Sequence, residues 1–168
     1  FEDIKYAIWE TQWLNEFSQH QTSNQMIVVE VEKEFVDSLY YYLNDNLRMD
    51  FFLNPDEKEI QFYISESNVP VIIKRLVTRA PIQKIKNKKA VVPIATLEKI
   101  MVDLFADETL LHFYQGSEMV NIYEKIIDRY SINFTKLFSY AKRRKKEQEI
   151  KQFISNNIPN FLEDIQYD

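Results

Sequence analysis

Apolar residues along this chain change their period once, near residue 93. Before it they come in short β-branched or alternating runs; after it they recur every three or four positions. Tyr6-Ala7-Ile8-Trp9 reads as a buried strand. Thr11 offers an N-cap for a helix to about His20, with Trp13, Leu14 and Phe17 at i, i+1 and i+4. A polar loop follows over 19–25, and Met26 to Val31 is β-branched and reads as a strand. Val36 to Asn44 predicts a short helix with Val36, Leu39, Tyr40 and Leu43 on its apolar face. Asp50 to Leu53 predicts a strand, and Asn54-Pro55-Asp56 a turn. From Glu59 to Ser65, Ile60, Phe62 and Ile64 alternate with Gln61 and Tyr63, which predicts a half-buried strand, with a helix as the alternative. Val71-Ile72-Ile73 is a further strand, and Pro81 to Pro93 a hairpin with its tip at Asn87, ending in the strand Ala90-Val91-Val92.

Beyond Pro93 the pattern is helical. Thr96 caps a helix whose Leu97, Ile100, Met101, Leu104 and Phe105 form an apolar stripe. Gly116-Ser117 opens a second, carrying Val120, Tyr123, Ile126, Ile127 and Tyr130, and Asn133 caps a third with Phe134, Leu137, Phe138 and Ala141. Ile150, Phe153 and Ile154 mark a fourth, and Phe161, Leu162 and Ile165 a last short one. The expected fold is one α+β domain over 1–168: a mixed β-sheet with helices packed on it over about 1–93, and a helical half over about 94–168.

Composition narrows the function. Apolar residues at 45% and 12 Phe with 10 Tyr are enough for a core without staples. There is no cysteine, which excludes disulfides and thiolate metal sites. The single glycine, Gly116, excludes the phosphate-cradling loops of P-loop and dinucleotide folds, so no nucleotide cofactor is expected. No run approaches the roughly 18 apolar residues of a membrane span, and no signal peptide is visible; a cytoplasmic protein is expected. The chain opens on Phe1, which reads as a fragment or processed form with a region missing before it.

The net charge of −5 hides a segregation. Val71 to Lys89 holds Lys74, Arg75, Arg79, Lys84, Lys86, Lys88 and Lys89 and no acid. Ile132 to Lys146 holds Lys136, Lys142, Arg143, Arg144, Lys145 and Lys146, again without an acid. The other 134 residues carry 8 basic and 26 acidic side chains, so cations confined to two runs point to a docking surface for an acidic partner or a phosphate backbone. The ordinary alternative is two solvated faces. Of these residues, Lys84, Lys86, Lys88 and Lys89, with Lys136, Lys142, Arg143, Arg144, Lys145 and Lys146, are the expected partner- or nucleic-acid-binding set.

Catalytic chemistry finds little purchase. Glu30 and Glu32, two apart in a strand, with Lys33 beside them, suggest the carboxylates of a metal-dependent nuclease, which requires acids such as these and Asp50 to converge in a cleft; the simpler reading of Glu30 and Glu32 is a solvent-facing strand end. His20 and His112 stand far apart without acids at ligand spacing, and no serine sits in a nucleophile elbow. Gly116-Ser117 is not followed by the paired acids of a nucleotidyltransferase. Tyr40-Tyr41-Tyr42 on a short helix must turn at least one ring inward, which favours core and rim over a base-stacking platform. No catalytic residue and no metal site is expected.

Two strings carry a family likeness. Val92 to Phe105 contains Glu98-Lys99 followed by Asp103-Leu104, an "E-[RK]-x-x-x-D-L" helix, and Ile132 to Arg144 contains Leu137, Tyr140-Ala141 and Arg143 as "L-x-x-Y-A-x-R". In this order they resemble the antitoxin half of abortive-infection (AbiE-type, type IV) bacterial toxin–antitoxin systems, over about Val71 to Ile154. The resemblance implies a cytoplasmic transcriptional regulator that neutralises a nucleotidyltransferase-like toxin and meets DNA through an N-terminal winged-helix domain; no such pattern precedes Tyr6. Lys99 and Asp103 by themselves are an i, i+4 pair in the weaker orientation, worth a few tenths of a kcal/mol on a surface. The reading is a non-catalytic interaction domain. A nuclease or nucleotidyltransferase-like enzyme, and a plain nucleic-acid-binding domain, are the alternatives.

Overall fold

Alternation of side chains to the two faces of a strand decides how this chain folds. A computed structural model describes residues 3–20, 24–158 and 161. Six strands form one mixed sheet in the order β3-β4-β2-β1-β6-β5. They are β1 (Tyr6–Glu10), β2 (Ile27–Val31), β3 (Phe51–Leu53), β4 (Val71–Arg75), β5 (Ile82–Lys86) and β6 (Val91–Ala95). Strands β3, β4 and β2 are parallel, β1 is antiparallel to β2 and parallel to β6, and β5 closes the edge as a hairpin with β6. Asn87 makes the hairpin tip, its side chain accepting from the Lys89 and Ala90 amides.

One face of the sheet carries Ala7, Trp9, Val28, Ile72 and Ala95 and is covered by α3 (Leu97–Ala106), α4 (Ser117–Arg129), α5 (Phe134–Arg143) and α6 (Glu147–Asn157). The opposite face carries Val31, Val71 and Ile73 under α1 (Val36–Asn46). The α+β architecture and most elements agree with the sequence reading. Thr96 and Asn133 cap α3 and α5 through their side chains, and Gly116, at φ 65°, takes a backbone that favours glycine just before α4. Of the expected last helix only residue 161 is described; Leu162 and Ile165 lie outside the described residues.

Two elements differ. Glu59 to Ser65 is not a strand: α2 (Glu57–Glu59) runs into a π-helical turn, Ile60–Ile64. Asp56 caps this segment by accepting from the Glu59 amide at 2.8 Å. Ile60 and Ile64, four apart, are buried, whereas Phe62 is 53% exposed. The expected helix after Thr11 is a 3-10 stretch, Thr11–Glu16. Thr11 caps nothing, because its hydroxyl accepts instead from the Met26 amide at 3.0 Å, joining the end of β1 to the start of β2.

Candidate functional site

The helix-covered face buries charge. Met26, Val28 and Glu30 share one side of β2 or its approach, and Glu30 pairs in register with Lys74 on β4. Above them α3 is apolar on nearly every side: Lys99 through Leu104 are all buried. Its only interior charges, Lys99 and Asp103, are one turn apart and so face the same way. The Lys99 ammonium donates to Glu30 Oε2 and to Asp103 Oδ2, the latter at 2.5 Å. The Tyr140 ring centroid lies 5.7 Å from the Lys99 Nζ, and the Tyr140 hydroxyl donates to Asp103 Oδ1 at 2.7 Å. Arg144 then bridges Asp103 at 3.2 Å and Asp107 at 2.8 Å, and Lys74 closes on Asp107 at 2.7 Å.

Three cations (Lys74, Lys99, Arg144) and three carboxylates (Glu30, Asp103, Asp107) thus form one continuous network across β2, β4, α3 and the end of α5. Side-chain exposure grades from 0% at Lys99 and 1% at Glu30 to 15% at Lys74 and 17% at Asp107. Burial pushes the Glu30 carboxyl up despite the Lys99 ammonium beside it, and its Oε1 has no hydrogen-bond partner among the described residues. Burial opposes charge on Lys99, but the Asp103 and Glu30 carboxylates outweigh it and hold the ammonium protonated. Burial would also raise Asp107; the Lys74 ammonium and Arg144 guanidinium overcome it and hold that carboxyl below its ordinary value.

The outer end of the network opens on a cleft of about 460 Å³ at the carboxyl ends of β3 and β4, where Lys74 and Asp107 meet Asn54, Glu57, Glu108 and Thr109. The acids singled out for a nuclease do not gather there. Glu30 is in the core, which corrects its reading as a solvent-facing strand end. Glu32 lies past the end of β2, where Oε2 meets the Lys5 amide at 3.5 Å, and Asp50 accepts from Ser67 before β3. Among the described residues no three His, Cys, Asp or Glu side chains stand together as a metal site.

The basic runs divide by role. Arg144 is not a free docking residue: it is spent inside the network, which removes it from the expected binding set. Lys146 is half-buried and pairs with Glu149. Lys84, Lys86, Lys88 and Lys89 on the hairpin, and Lys136, Lys142, Arg143 and Lys145 on or after α5, are exposed, and none has an acidic partner among the described residues. Arg143 donates to Thr78 at 3.0 Å, so the end of α5 lies against the segment that leaves β4. Arg75 sits in register with Val31 and Tyr6, and the single β1–β6 bridge, Ile8 to Ile94, carries that row on to Val92 and Ile85. Arg75 and Ile85 thus stand at one end of the sheet, four strand spacings or about 19 Å apart, and the hairpin lysines and the end of α5 lie toward that same end.

The two motif helices meet in this network. Lys99, Asp103, Leu104, Leu137, Tyr140 and Ala141 are all buried where α3 packs on α5, and Glu98 accepts from the Asn133 amide at 2.9 Å at the start of α5. The surface value given to the Lys99–Asp103 pair is therefore corrected: it is an interior pair shared with Glu30 and Tyr140. Tyr40 is the inward ring of its triplet, and Tyr41 and Tyr42 are each 60% exposed.

Fold and site together define an α+β domain with an ion-paired core and a segregated basic end. The chain belongs to a family of unknown function, DUF6577, whose model matches residues 1–160. No curated protein and no solved structure matches it.

Proposed function

We propose that this domain is a non-catalytic binding module that docks an acidic partner protein through its basic end. The observation that carries the reading is the division of its cations. Lys74, Lys99 and Arg144 are neutralised inside the fold, while the hairpin lysines and Lys142, Arg143 and Lys145 face solvent unpaired on a chain of net charge −5. Cations held apart from a domain's own carboxylates favour an oriented encounter with a negative surface. In the form that the antitoxin resemblance implies, the partner is a nucleotidyltransferase-like toxin, and the motif residues Lys99, Asp103 and Tyr140 serve as scaffold for the basic end rather than as contacts.

The test is a pull-down from nuclease-treated lysate of the source cells with the full protein as bait. The comparison bait replaces Lys84, Lys86, Lys88, Lys89, Lys142, Arg143 and Lys145 by Gln and keeps Arg144. An acidic protein retained by the first bait and lost from the second, with binding weakened by salt, is the expected result. Retention of nucleic acid alone in untreated lysate would contradict the reading in favour of a nucleic-acid-binding domain.

A further inference from the structure

The sheet's second face is only half covered. Tyr6, Ile8, Ile27, Val29, Val92 and Ile94 point to it from β1, β2 and β6 and remain half-buried. Among the described residues α1 is the helix that packs on this face, and it lies against β3 and β4. Beside it runs a groove of about 410 Å³ whose lining holds no charged side chain. Strands spaced about 4.8 Å apart make the strip β2-β1-β6 roughly 10 Å wide, the diameter of one helix and the ordinary distance between packed helices. A sheet apolar on both faces is completed by helices on both. The strip has room for one.

Charge names the occupant. The hairpin β5–β6 borders the strip and extends past the end of β1, carrying Lys88 and Lys89 at its turn without acidic partners among the described residues. Arg75, exposed on the same face, stands at the same end of the sheet. Glu10, the last residue of β1, stands at the opposite end. A ligand for this surface needs an apolar stripe against Ile8, Ile27 and Ile94 and acids toward the hairpin. We infer that the acidic partner docks as an amphipathic helix, laid alongside α1 over β2, β1 and β6 with its carboxylates against Arg75, Lys88 and Lys89. This rests on the binding-module reading above and adds to it the element and the seat. It is the helix-in-groove mode of recognition, with apolar anchors every three or four residues.

Site-specific photo-crosslinking in the source cells tests it. p-Benzoylphenylalanine replaces Ile8 in one full-length protein and Lys88 in another, with Gln152 on α6 as the control position and Ile94, its neighbour on the same strip, as a second position should the Ile8 variant melt early. The expected result is that the groove and hairpin positions label the same segment of one protein, and that the sequenced segment has apolar residues at helical spacing and a flank of Asp and Glu. Gln152 should give no such label. Groove label on a second copy of this chain, on lipid, or on a segment without that pattern overturns the inference. Label from Lys88 with none from Ile8 or Ile94 overturns the helix seat and leaves the acidic-partner reading standing. No label from either region in folded protein overturns both.

Discussion

Arg143 and Arg144 are neighbours in one basic run, yet they belong to two different regions. Arg144 reaches back into the interior, where Asp103 and Asp107 neutralise it and Tyr140 and Lys99 complete the cluster. Arg143 lies outside with Lys142 and Lys145, donating to the Thr78 hydroxyl, with no acidic partner among the described residues. The hairpin lysines resemble Arg143 in this respect. Charge of one sign is thus used twice. Inside, it is matched by carboxylates and ties α3 and α5 to the sheet; outside, it is left unmatched and available. A buried pair need not stabilise relative to well-packed apolar residues, but breaking one strands a charge, so removing one member costs far more than removing a surface lysine.

That contrast is broken hardest at Lys99. Lys99→Met leaves Glu30 and Asp103 facing each other without their cation, and unfolding in urea is expected to lose about 3–5 kcal/mol. The double replacement Glu30→Leu with Lys99→Met should recover much of that loss, since Asp103 keeps Arg144 and Tyr140 and two cations remain against two carboxylates; a double variant as unstable as the single one would place the cost in packing instead.

A gentler break is acid. Asp107 is held below the ordinary aspartate value of 3.8 by Lys74 and Arg144, so it binds fewer protons folded than unfolded. The stability it contributes is complete above that ordinary value and lost as pH falls through the lowered one. Unfolding measured from pH 5 down to pH 2, limits of the roughly carboxylate range, should show a shallower acid loss in Asp107→Asn than in the parent protein. Equal slopes would mean that Asp107 is not linked to folding.

Much of the fold was legible because local pattern and tertiary role agree. β2 is β-branched and central, α3 is capped by Thr96, and Asn87 turns the hairpin. Glu59 to Ser65 reads as a strand, with a helix as the alternative, because alternation of Ile60, Phe62 and Ile64 fits a strand as well as it fits one turn with Ile60 and Ile64 inward; the Asp56 cap decides it. The interior cluster left a signal in two places. Every residue from Ile100 to Ala106 except Asp103 is apolar, so α3 has no polar side on which to expose it, and Glu30 is the only charge in its β-branched run. Arg144 left none. It differs from Arg143 only through Asp103 and Asp107, which lie 41 and 37 residues earlier in the chain. The role of the unpaired lysines is equally nonlocal, because their lack of partners is a property of the folded surface.

The most direct test sets the two arginines side by side. Arg143→Gln and Arg144→Gln are unfolded in urea under the same conditions, each removing one positive charge from adjacent positions. The account predicts that Arg144→Gln loses about 2–4 kcal/mol, because two interior carboxylates lose a partner, while Arg143→Gln stays within about 0.5 kcal/mol of the parent. Equal losses, or a larger one at Arg143, would contradict the division between a charge network that holds the fold and a basic end that is free to bind.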